Sequence, residues 1–362
     1  MGIIARPFWL GAILAGMLGA CSSEQSPETD KASLALSDRP LVQWRMASTY
    51  PSSLIILGTM GKRVESLARD ISGGSIDIRF YEPGALAPPF EIFDAISYGA
   101  LEAGWSTPGY WAGREPALQL FSALPFGPSA EEYLAWFDYG GGRALYEKLY
   151  HRHNIHGLIC GISPPEAAGW YKKPINKVED FKGLKIRFFG LGGKVLEKLG
   201  ASVQLLSGGD IFPALELGTI DGTEFSVPAV DLKMGFYQAA KHYYFPGWHQ
   251  QSTFFELMIN LDQWNALNAT QQAQIEAVCS SNIRYGLSQG EALQIDAMRE
   301  LSEKGVEFHK FSPEILEALE TAWGEVADEL SASNADFATG WDSLRQFRAG
   351  HRVWRERGYL KK

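Results

Sequence analysis

The sequence of 362 residues lacks the short motifs that mark several large enzyme classes. It contains no HExxH zinc-protease motif and no P-loop, and its glycine cluster at 190–193 does not have the spacing of a dinucleotide-binding loop. Catalytic residues can be assembled in space from distant positions, so a missing motif excludes a class only weakly. The sequence nevertheless shows no candidate nucleophile together with a candidate base. We therefore expect a protein that is not an enzyme.

Clustered positive charge is also missing. The chain has 33 Lys and Arg against 42 Asp and Glu, which gives a formal net charge of −9, and it contains no block of basic residues. Because binding to a phosphate backbone needs clustered Lys and Arg, this charge pattern argues against nucleic acid as a partner.

Cysteine is scarce, with three in the whole sequence. Cys21, Cys160 and Cys279 form neither a disulfide framework nor a CxxC pair of the kind that binds metal or performs redox chemistry. Cys160 and Cys279 could form a single bridge in an oxidising compartment, or they could stay as two buried thiols. The residue pattern leaves both alternatives open.

Only the N-terminal region contains a long apolar run. The stretch 8–18 is too short to span a bilayer permanently, and residues 1–20 are therefore predicted to be a secretory signal peptide. Residues 18–21 (Leu-Gly-Ala-Cys) resemble the bacterial lipobox, which implies a lipid on Cys21; cleavage nearby by another peptidase is the alternative. Residues 21–40 are polar and predict a flexible, lipidated tether. The protein is expected in the periplasm, anchored to a membrane by lipid.

Strand-like and helix-like patterns alternate along most of the chain. Short apolar or alternating runs predict strands, each followed by a turn with Gly or Pro and then by an amphipathic segment. This alternation predicts an α/β fold with mostly parallel sheets. Long helices are expected from Thr270 to about Lys304 and from Pro313 to Leu330, separated by a strand near 305–310. The other predicted strands are 41–47, 75–81, 103–106, 157–162, 184–188 and 202–205.

The loops after these strands are the expected ligand site, because open α/β sheets bind ligands beyond the carboxyl ends of their strands. Arg187 ends one strand in an apolar, glycine-containing setting, where a guanidinium can bind a carboxylate through two parallel hydrogen bonds. A salt bridge to an acidic neighbour is the alternative for this arginine. Further candidates for ligand contacts are residues of the same loops, Tyr50, Tyr110, Trp111, Glu166 and Trp170.

Three histidines, His151, His153 and His156, lie close together in the sequence. Their spacings of two and three residues fall on a polar segment that also contains an arginine. These spacings on a polar segment are more typical of a solvated helix end than of a metal site.

Extended segments through most of residues 41–270 carry a family resemblance. They are PPFEIFDA (88–95), YWAG (110–113), LPFG (124–127), KGLKIR (182–187), GGKVLEKLG (192–200), GGDIFPALELGTIDGTE (208–224) and KHYYFPGW (241–248). These segments resemble the solute-binding proteins of tripartite ATP-independent periplasmic (TRAP) transporters, the DctP family, most strongly the members that bind 2-oxo acids or lactate together with a cation. The resemblance implies a two-lobed fold like that of periplasmic binding proteins, with a cleft between the lobes and long C-terminal helices.

The resemblance also implies how the chain is divided. Lobe I would comprise residues 41–161 and about 252–300, and lobe II residues 162–251 and about 301–330. Residues 331–362 would form a C-terminal helical segment. The similar subgroup dimerises through a long C-terminal helix, so a homodimer is considered alongside a monomer.

By the same resemblance, Arg187 would contact the substrate carboxylate, and the ligands of a cation would be Glu166, Glu224, Phe225 and Gln250. Phe225 stands where the subgroup has Trp, which is harmless if the residue supplies its backbone carbonyl. Glu and Gln have exchanged places at positions 166 and 250, so the set keeps one amide and two carboxylates. Because these donors are hard oxygens, Na⁺ or Ca²⁺ is the expected cofactor.

These expectations combine into an extracytoplasmic solute-binding subunit of a TRAP transporter. It would capture a small organic carboxylate, such as a 2-oxo acid or lactate, and deliver it to small and large membrane subunits. Replacement of Arg187 by Ala is expected to abolish binding and leave the fold intact. Two alternatives come from other classes: a lipoprotein hydrolase that uses Glu166 and Glu224 as an acid and base pair, and a sensory protein that presents its ligand to a receptor.

Overall fold

The computed structural model describes residues 42–360. The predicted signal peptide, the lipidation site Cys21 and the tether therefore lie outside the described residues. In chain order the strands and longer helices are β1 (Val42–Ser48), α1 (Leu57–Ser72), β2 (Ile76–Tyr81), α2 (Ile92–Ser97), β3 (Ala103–Ser106), α3 (Ala130–Tyr139), α4 (Gly142–His151), β4 (Ile155–Ser163), β5 (Gly169–Tyr171), β6 (Lys185–Arg187), α5 (Gly190–Lys198), β7 (Ser202–Gln204), α6 (Gly208–Leu217), β8 (Gly222–Thr223), α7 (Pro228–Met234), β9 (His242–Phe245), β10 (Thr253–Asn260), α8 (Leu261–Asn265), α9 (Ala269–Glu303), β11 (Glu307–Lys310), α10 (Pro313–Ser333) and α11 (Ala335–Gly358).

Local sequence explains where α1 ends and where α9 begins. α1 buries Met60 and Val64 on the face that packs against β2 and α9, and it ends at Gly73, which takes the left-handed conformation with φ of 60°. α9 begins after Asn268, whose side chain accepts a hydrogen bond from the backbone N–H of Gln271, while the side chain of Gln271 accepts one in return. The predicted bounds of both long C-terminal helices, α9 and α10, agree with the structure to within three residues.

Two sheets organise the described residues. The first has the strand order β2-β1-β3-β10-β4, and the second has the order β11-β9-β5-β8-β6-β7. β1 is parallel to both of its neighbours, and β6 is parallel to β7 and β8. The predicted α/β class and the long C-terminal helices are confirmed.

The chain crosses between the two sheets in antiparallel pairs. β4 of the first sheet leads into β5 of the second, and β9 of the second sheet leads back into β10 of the first. β4 pairs antiparallel with β10, and β5 pairs antiparallel with β9. The expectation of mostly parallel sheets is therefore only partly correct. Strands joined by a helix within one sheet run parallel, whereas the crossing strands carry the chain in opposite directions.

The strands divide between the sheets in two blocks each. β1 to β4 and β10 belong to the first sheet, and β5 to β9 and β11 belong to the second. α9 packs along α1 and β4 and then leads into β11, so it provides a third connection. The residue-level lobe boundaries, 41–161 with about 252–300 and 162–251 with about 301–330, stay a prediction.

A disulfide joins Cys160 on β4 to Cys279 on α9. Both residues are buried, and they are 119 positions apart in the sequence. Of the two alternatives that the sequence leaves open, the structure therefore has the bridge. Disulfides persist in oxidising compartments such as the periplasm, which agrees with an extracytoplasmic protein.

The C-terminal helices pack mostly on the chain itself. α10 contacts α5, and α11 contacts α10, α3 and α4. Trp323, Phe337 and Leu344 are buried in these contacts, whereas Val353 and Trp354 near the end of α11 are exposed. Among residues 42–360, no helix combines the length and the hydropathy that crossing a membrane requires.

Candidate functional site

A small cavity is lined by residues from the ends of strands in both sheets. Tyr50 follows β1, Tyr110 follows β3, and Arg187 ends β6, while Glu166 and Gln250 lie in the two crossing segments. This is the position expected for a ligand site in α/β sheets. The cavity volume is about 20 Å³, which is room for little more than one ordered water. The lining residues are Tyr50, Leu57, Thr107, Tyr110, Glu166, Arg187, Phe189, Phe225, Gln250, Thr253 and Phe255.

Arg187 and Glu224 are brought together by adjacent parallel strands. β6 ends at Arg187, which pairs in register with Thr223 at the end of β8, so Glu224 follows directly beside it. The Nη1 atom of Arg187 donates to the backbone carbonyl of Glu224 at 2.6 Å and to its Oε1 at 2.9 Å. Both side chains are buried. Arg187 thus makes the salt bridge that the sequence left as an alternative, and it also reaches the cavity.

The hydrogen bonds of the three Arg187 side-chain nitrogens determine which of them can bind a ligand. Nε donates to the carbonyl of Leu206 at 3.3 Å, and both hydrogens of Nη1 point to Glu224. Nη2 makes no hydrogen bond with any of residues 42–360. The guanidinium also lies over the ring of Phe225, with its carbon 5.3 Å from the ring centre. Nη2 is therefore the nitrogen with donors to spare for an anion.

Glu224 is held as a carboxylate by its surroundings. Burial by itself would raise its pKa, but the positive charge of Arg187 and the nearby ring of His249 outweigh burial, and the pKa is below its usual range. Oε1 also accepts from the backbone N–H of Phe189. The site therefore contains one fixed positive and one fixed negative charge at its base.

Glu166 and Gln250 meet where the two crossing segments run side by side. The backbone N–H of Glu166 donates to the carbonyl of Gln250 at 3.0 Å, and Thr253 links the side chains, with Oγ1 at 3.1 Å from Gln250 Nε2 and 3.3 Å from Glu166 Oε1. Gly247 permits this approach, because a Cβ built on it would lie 2.1 Å from the carbonyl oxygen of Glu166. Burial, followed by repulsion from Glu224, raises the pKa of Glu166 well above its usual value.

Three of the predicted cation ligands have a buried side-chain oxygen without a partner. Oε2 of Glu166, Oε2 of Glu224 and Oε1 of Gln250 make no hydrogen bond within residues 42–360. Buried polar atoms are normally satisfied, so three unpaired oxygens in one place point to a bound group. Hard oxygen donors with two carboxylates fit Na⁺ or Ca²⁺. The ring of Phe225 contacts Arg187, and Phe225 lines the cavity.

His249 is a site residue that the sequence did not single out. Nε2 lies 3.8 Å from Glu224 Oε2, and one ring nitrogen lies within 4.8 Å of carboxylate oxygens of both Glu166 and Glu224. Neither ring nitrogen has a hydrogen-bond partner among the described residues. Its only sequence signal is its position between Trp248 and Gln250, at the end of a segment that carries the family resemblance.

Tyr50 and Tyr110 face the cavity together. Their ring centres are 6.0 Å apart, and Tyr110 also packs edge-on against Phe189. Burial raises the pKa of both phenols above the usual value, so both remain protonated at neutral pH. Each therefore offers an uncharged O–H that can donate to a ligand oxygen.

The two tryptophans of the predicted site are not brought to the cavity wall. The indole N–H of Trp111 donates to Glu256 at 2.6 Å, and that of Trp170 donates to Asp231 at 2.9 Å. Trp170 also stacks on Tyr243 with ring centres 3.8 Å apart. Neither tryptophan is among the described residues that line the cavity, and each indole N–H is bonded to a buried carboxylate.

The arrangement offers little for a hydrolase. The sequence Gly286 to Gly290 has the spelling GxSxG, but it lies in the middle of α9, whereas a nucleophile elbow needs a sharp turn from strand to helix. Gly286 and Gly290 instead allow close packing, since an added Cβ would meet Ile162 and Pro164. As one half of an acid and base pair with Glu166, Glu224 would also have to act while its carboxylate is held in the buried ion pair with Arg187.

The three clustered histidines lie elsewhere. His151 ends α4 and contacts the ring of His156 on β4 through nitrogens 3.1 Å apart, while His153 lies 3.7 Å from Glu115. His156 stacks on Trp264 at 4.0 Å. The group packs against neighbours rather than gathering around one point.

Comparison with known proteins finds relatives that share this fold, and several of them were solved with a ligand and a cation bound. A monocarboxylate 2-oxoacid-binding periplasmic protein from Nostoc sp. is 34% identical over 87% of the chain and 86% of its own length. A TRAP solute-binding protein from Bordetella bronchiseptica, solved as a dimer with calcium and picolinate, is 34% identical with a TM-score of 0.85, covering 87% of this chain and 94% of that one. A third, from Pseudoalteromonas atlantica with sodium and pyruvate, is 30% identical with a TM-score of 0.83, covering 87% and 96%.

The two-lobed architecture predicted from the resemblance is therefore confirmed, and proteins of this kind bind solutes rather than convert them. The family of bacterial extracellular solute-binding proteins, family 7 (DctP), matches residues 46–334, which is most of the chain. Together with the shared fold, this match shows that the chain belongs to the DctP family of TRAP transporter solute-binding proteins.

Proposed function

We propose that the protein captures a small 2-oxo monocarboxylate of the size of pyruvate, together with Na⁺ or Ca²⁺, in the cavity between its two sheets. It then delivers this ligand to the small and large membrane subunits of a TRAP transporter. Two relatives with about one third identity and the same fold were solved with such ligands, one with sodium and pyruvate and the other with calcium and picolinate.

The observation that carries the proposal is the pairing of a spare donor with spare acceptors. Arg187 Nη2 is the donor, and the unpaired oxygens of Glu166, Glu224 and Gln250 are the acceptors. An anion bound to the arginine and a cation bound to the oxygens would satisfy both sets at once. Neither ion alone would do so.

The residues divide the work between the two ions. Arg187 and the neutral phenols of Tyr50 and Tyr110 would hold the carboxylate of the ligand. Glu166, Glu224, Gln250 and the backbone carbonyl of Phe225 would hold the cation. When bound, the cation supplies positive charge that offsets the two buried carboxylates and attracts the ligand's oxygens. Closure of the lobes over the pair would exclude water and strengthen each contact.

Calorimetry on the purified protein tests this proposal. Pyruvate, 2-oxobutyrate and lactate are titrated with Ca²⁺, with Na⁺, and in a buffer that contains choline and a chelator. Binding is expected for at least one of these acids, and it should be at least tenfold weaker without either cation. Gln250→Ala should reduce the cation dependence, whereas Gln251→Ala, next in the chain, is the matched control. Failure of every carboxylate to bind under any of these conditions would refute the function.

The lipid anchor is a second part of the proposal. The lipobox-like residues 18–21 would place a lipid on Cys21, and the tether 21–40 would keep the binding protein close to its membrane partners. Fractionation of cells that express Cys21→Ala should move the protein from membranes to the soluble periplasmic fraction. Membrane association that persists in this variant would exclude the anchor.

A homodimer through the C-terminal segment 331–362 is a third part. The exposed side chains near the end of α11 include Val353, Trp354 and Leu360, which is an apolar surface that a second copy could cover. The dimeric relative from Bordetella supports this arrangement. Light scattering should give twice the chain mass for the wild type and a monomer for Trp354→Glu. A wild-type monomer at high micromolar concentration would exclude it.

A further inference from the structure

A second cluster of side chains with potential metal-ligand atoms lies on the second sheet, away from the cavity lining. His242 begins β9, and Glu307 begins the neighbouring parallel strand β11. The register pairs these two residues directly. His309 is two positions beyond Glu307 and therefore projects from the same face of the sheet. The strand pairing thus gathers two imidazoles and a carboxylate on one surface.

Three atoms of this cluster form a compact triangle. His242 Nδ1 lies 3.0 Å from His309 Nε2 and 3.4 Å from Glu307 Oε2, and His309 Nε2 lies 3.7 Å from the same oxygen. A tetrahedral metal with bonds of about 2.0–2.1 Å holds its ligand atoms roughly 3.3–3.4 Å apart. The observed distances lie on both sides of this value, so the atoms already occupy one face of a coordination tetrahedron to within a few tenths of an ångström.

The cluster is both ordered and accessible. The ring of Tyr244 stacks on the ring of His309 with centres 4.8 Å apart and an angle of 18°, which fixes the orientation of the imidazole. The side chains of His242 and His309 are 15% and 28% exposed, and that of Glu307 is 62% exposed. A hydrated ion can therefore reach the three atoms, and a water can complete the coordination.

A comparison within the chain separates this cluster from ordinary histidine packing. His151 and His156 also bring two ring nitrogens together, at 3.1 Å. No carboxylate of residues 42–360 joins that pair to form a group of three potential ligands, whereas Glu307 does so for His242 and His309. The two pairs therefore provide a matched test of what the carboxylate adds.

We propose that His242, Glu307 and His309 form a binding site for a divalent transition metal of the Zn²⁺ type, separate from the cation site in the cavity. Two imidazole nitrogens suit Zn²⁺, Ni²⁺ and Cu²⁺, whereas the oxygen ligands predicted in the cavity suit Na⁺ and Ca²⁺. Among residues 42–360, His249 is the one imidazole beside the carboxylates of Glu166 and Glu224 there, so the His309→Ala variant separates the two sites. The metal connects β9 to β11, the edge strand through which the chain passes from α9 to α10. Binding therefore stabilises the connection between the second sheet and the C-terminal helices.

Zinc titration of the untagged, chelator-treated protein tests the site. Calorimetry is performed with Ca²⁺ and pyruvate in excess, so that Ca²⁺ competes with Zn²⁺ for the oxygen ligands of the cavity. We expect one Zn²⁺ per chain with a dissociation constant in the micromolar range and a melting temperature several degrees higher. His309→Ala should weaken binding at least tenfold and remove the thermal shift, and Glu307→Gln should weaken binding by a smaller factor. Co²⁺ should give the visible absorption of a four-coordinate site in the wild type and lose it in His309→Ala.

Two control variants make the result specific. His151→Ala should bind Zn²⁺ as the wild type does, because the other histidine pair lacks a carboxylate. Gln250→Ala should also leave zinc binding unchanged, which separates this site from the proposed carboxylate function. The proposal is overturned if the wild type binds Zn²⁺ more weakly than about 1 mM, or if His309→Ala binds it as tightly as the wild type.

Discussion

Arg187 and Glu224 form a buried ion pair, and replacing them tests how the site is held together. Arg187 is 1% exposed and Glu224 is fully buried, with Nη1 and Oε1 2.9 Å apart. Removing one partner of a buried pair leaves an uncompensated charge, which typically costs about 3–5 kcal/mol. Arg187→Met keeps much of the side-chain volume, so its loss of stability should reflect mainly this charge. The sequence-based expectation that removing Arg187 leaves the fold intact stays a prediction, and this loss of stability tests it.

The double variant Arg187→Met with Glu224→Gln removes both charges. Its loss of stability should be smaller than the sum of the two single losses by roughly 2–3 kcal/mol, because the amide needs no counter-charge. Glu224→Gln alone should cost less than Arg187→Met alone, since the amide oxygen can still accept from Nη1. The expected order of stability is therefore wild type, Glu224→Gln, the double variant and Arg187→Met.

Urea unfolding of the four proteins, followed by circular dichroism, measures these differences. The buffer contains choline in place of sodium, a chelator and no carboxylate, so that neither ion contributes. The pH dependence supplies a second readout. Because the folded pKa of Glu224 is lowered, its contribution is present above the unfolded pKa and is lost as the pH falls through the folded pKa. The loss of unfolding free energy at acid pH should be smaller in Glu224→Gln than in the wild type. The reasoning is refuted if Arg187→Met costs less than about 1 kcal/mol, or if the two single effects add within about 0.5 kcal/mol.

Two further predictions concern the packing around the site. Gly247→Ala should weaken pyruvate binding at least tenfold, because its Cβ would lie 2.1 Å from the carbonyl oxygen of Glu166. Gly209→Ala is the control, because no atom lies within 4 Å of its added Cβ. Equal pyruvate affinities of the two variants would contradict the argument. Burial raises the pKa of Glu256 to about 7, so its protonated form stabilises the fold at low pH, and about 3 kcal/mol is lost as the pH rises from 4.5 through 7. Glu256→Gln should flatten this dependence in thermal melts, and an unchanged slope would exclude Glu256 as its source.

Several features followed from local sequence because their causes are local. The start of α9 is set by the hydrogen bonds between Asn268 and Gln271, and its length by a continuous helical pattern, so prediction and structure differ by one residue at each end. Residues such as Arg187 were located because strand ends and glycine turns are readable in the sequence. The cation ligands came instead from resemblance to a family, since no local pattern joins positions as distant as 166 and 250.

Other features depended on contacts that no local pattern encodes. β8 has two residues, too few for a period of two to be visible, yet it places Glu224 beside Arg187. Trp111 and Trp170 stand in loops after strands, as ligand contacts often do. Their indole groups bind buried carboxylates instead, because the partners come from β10 and α7.

The sequence by itself therefore determined the α/β class, the long C-terminal helices and the family, because helix periods, strand runs and extended motifs are properties of contiguous residues. The tertiary structure decided the antiparallel crossings, the bridge between Cys160 and Cys279, the place of His249 in the site and the histidine cluster on the second sheet. Each of these joins residues that are distant in the chain, and only packing brings them within a few ångströms of each other.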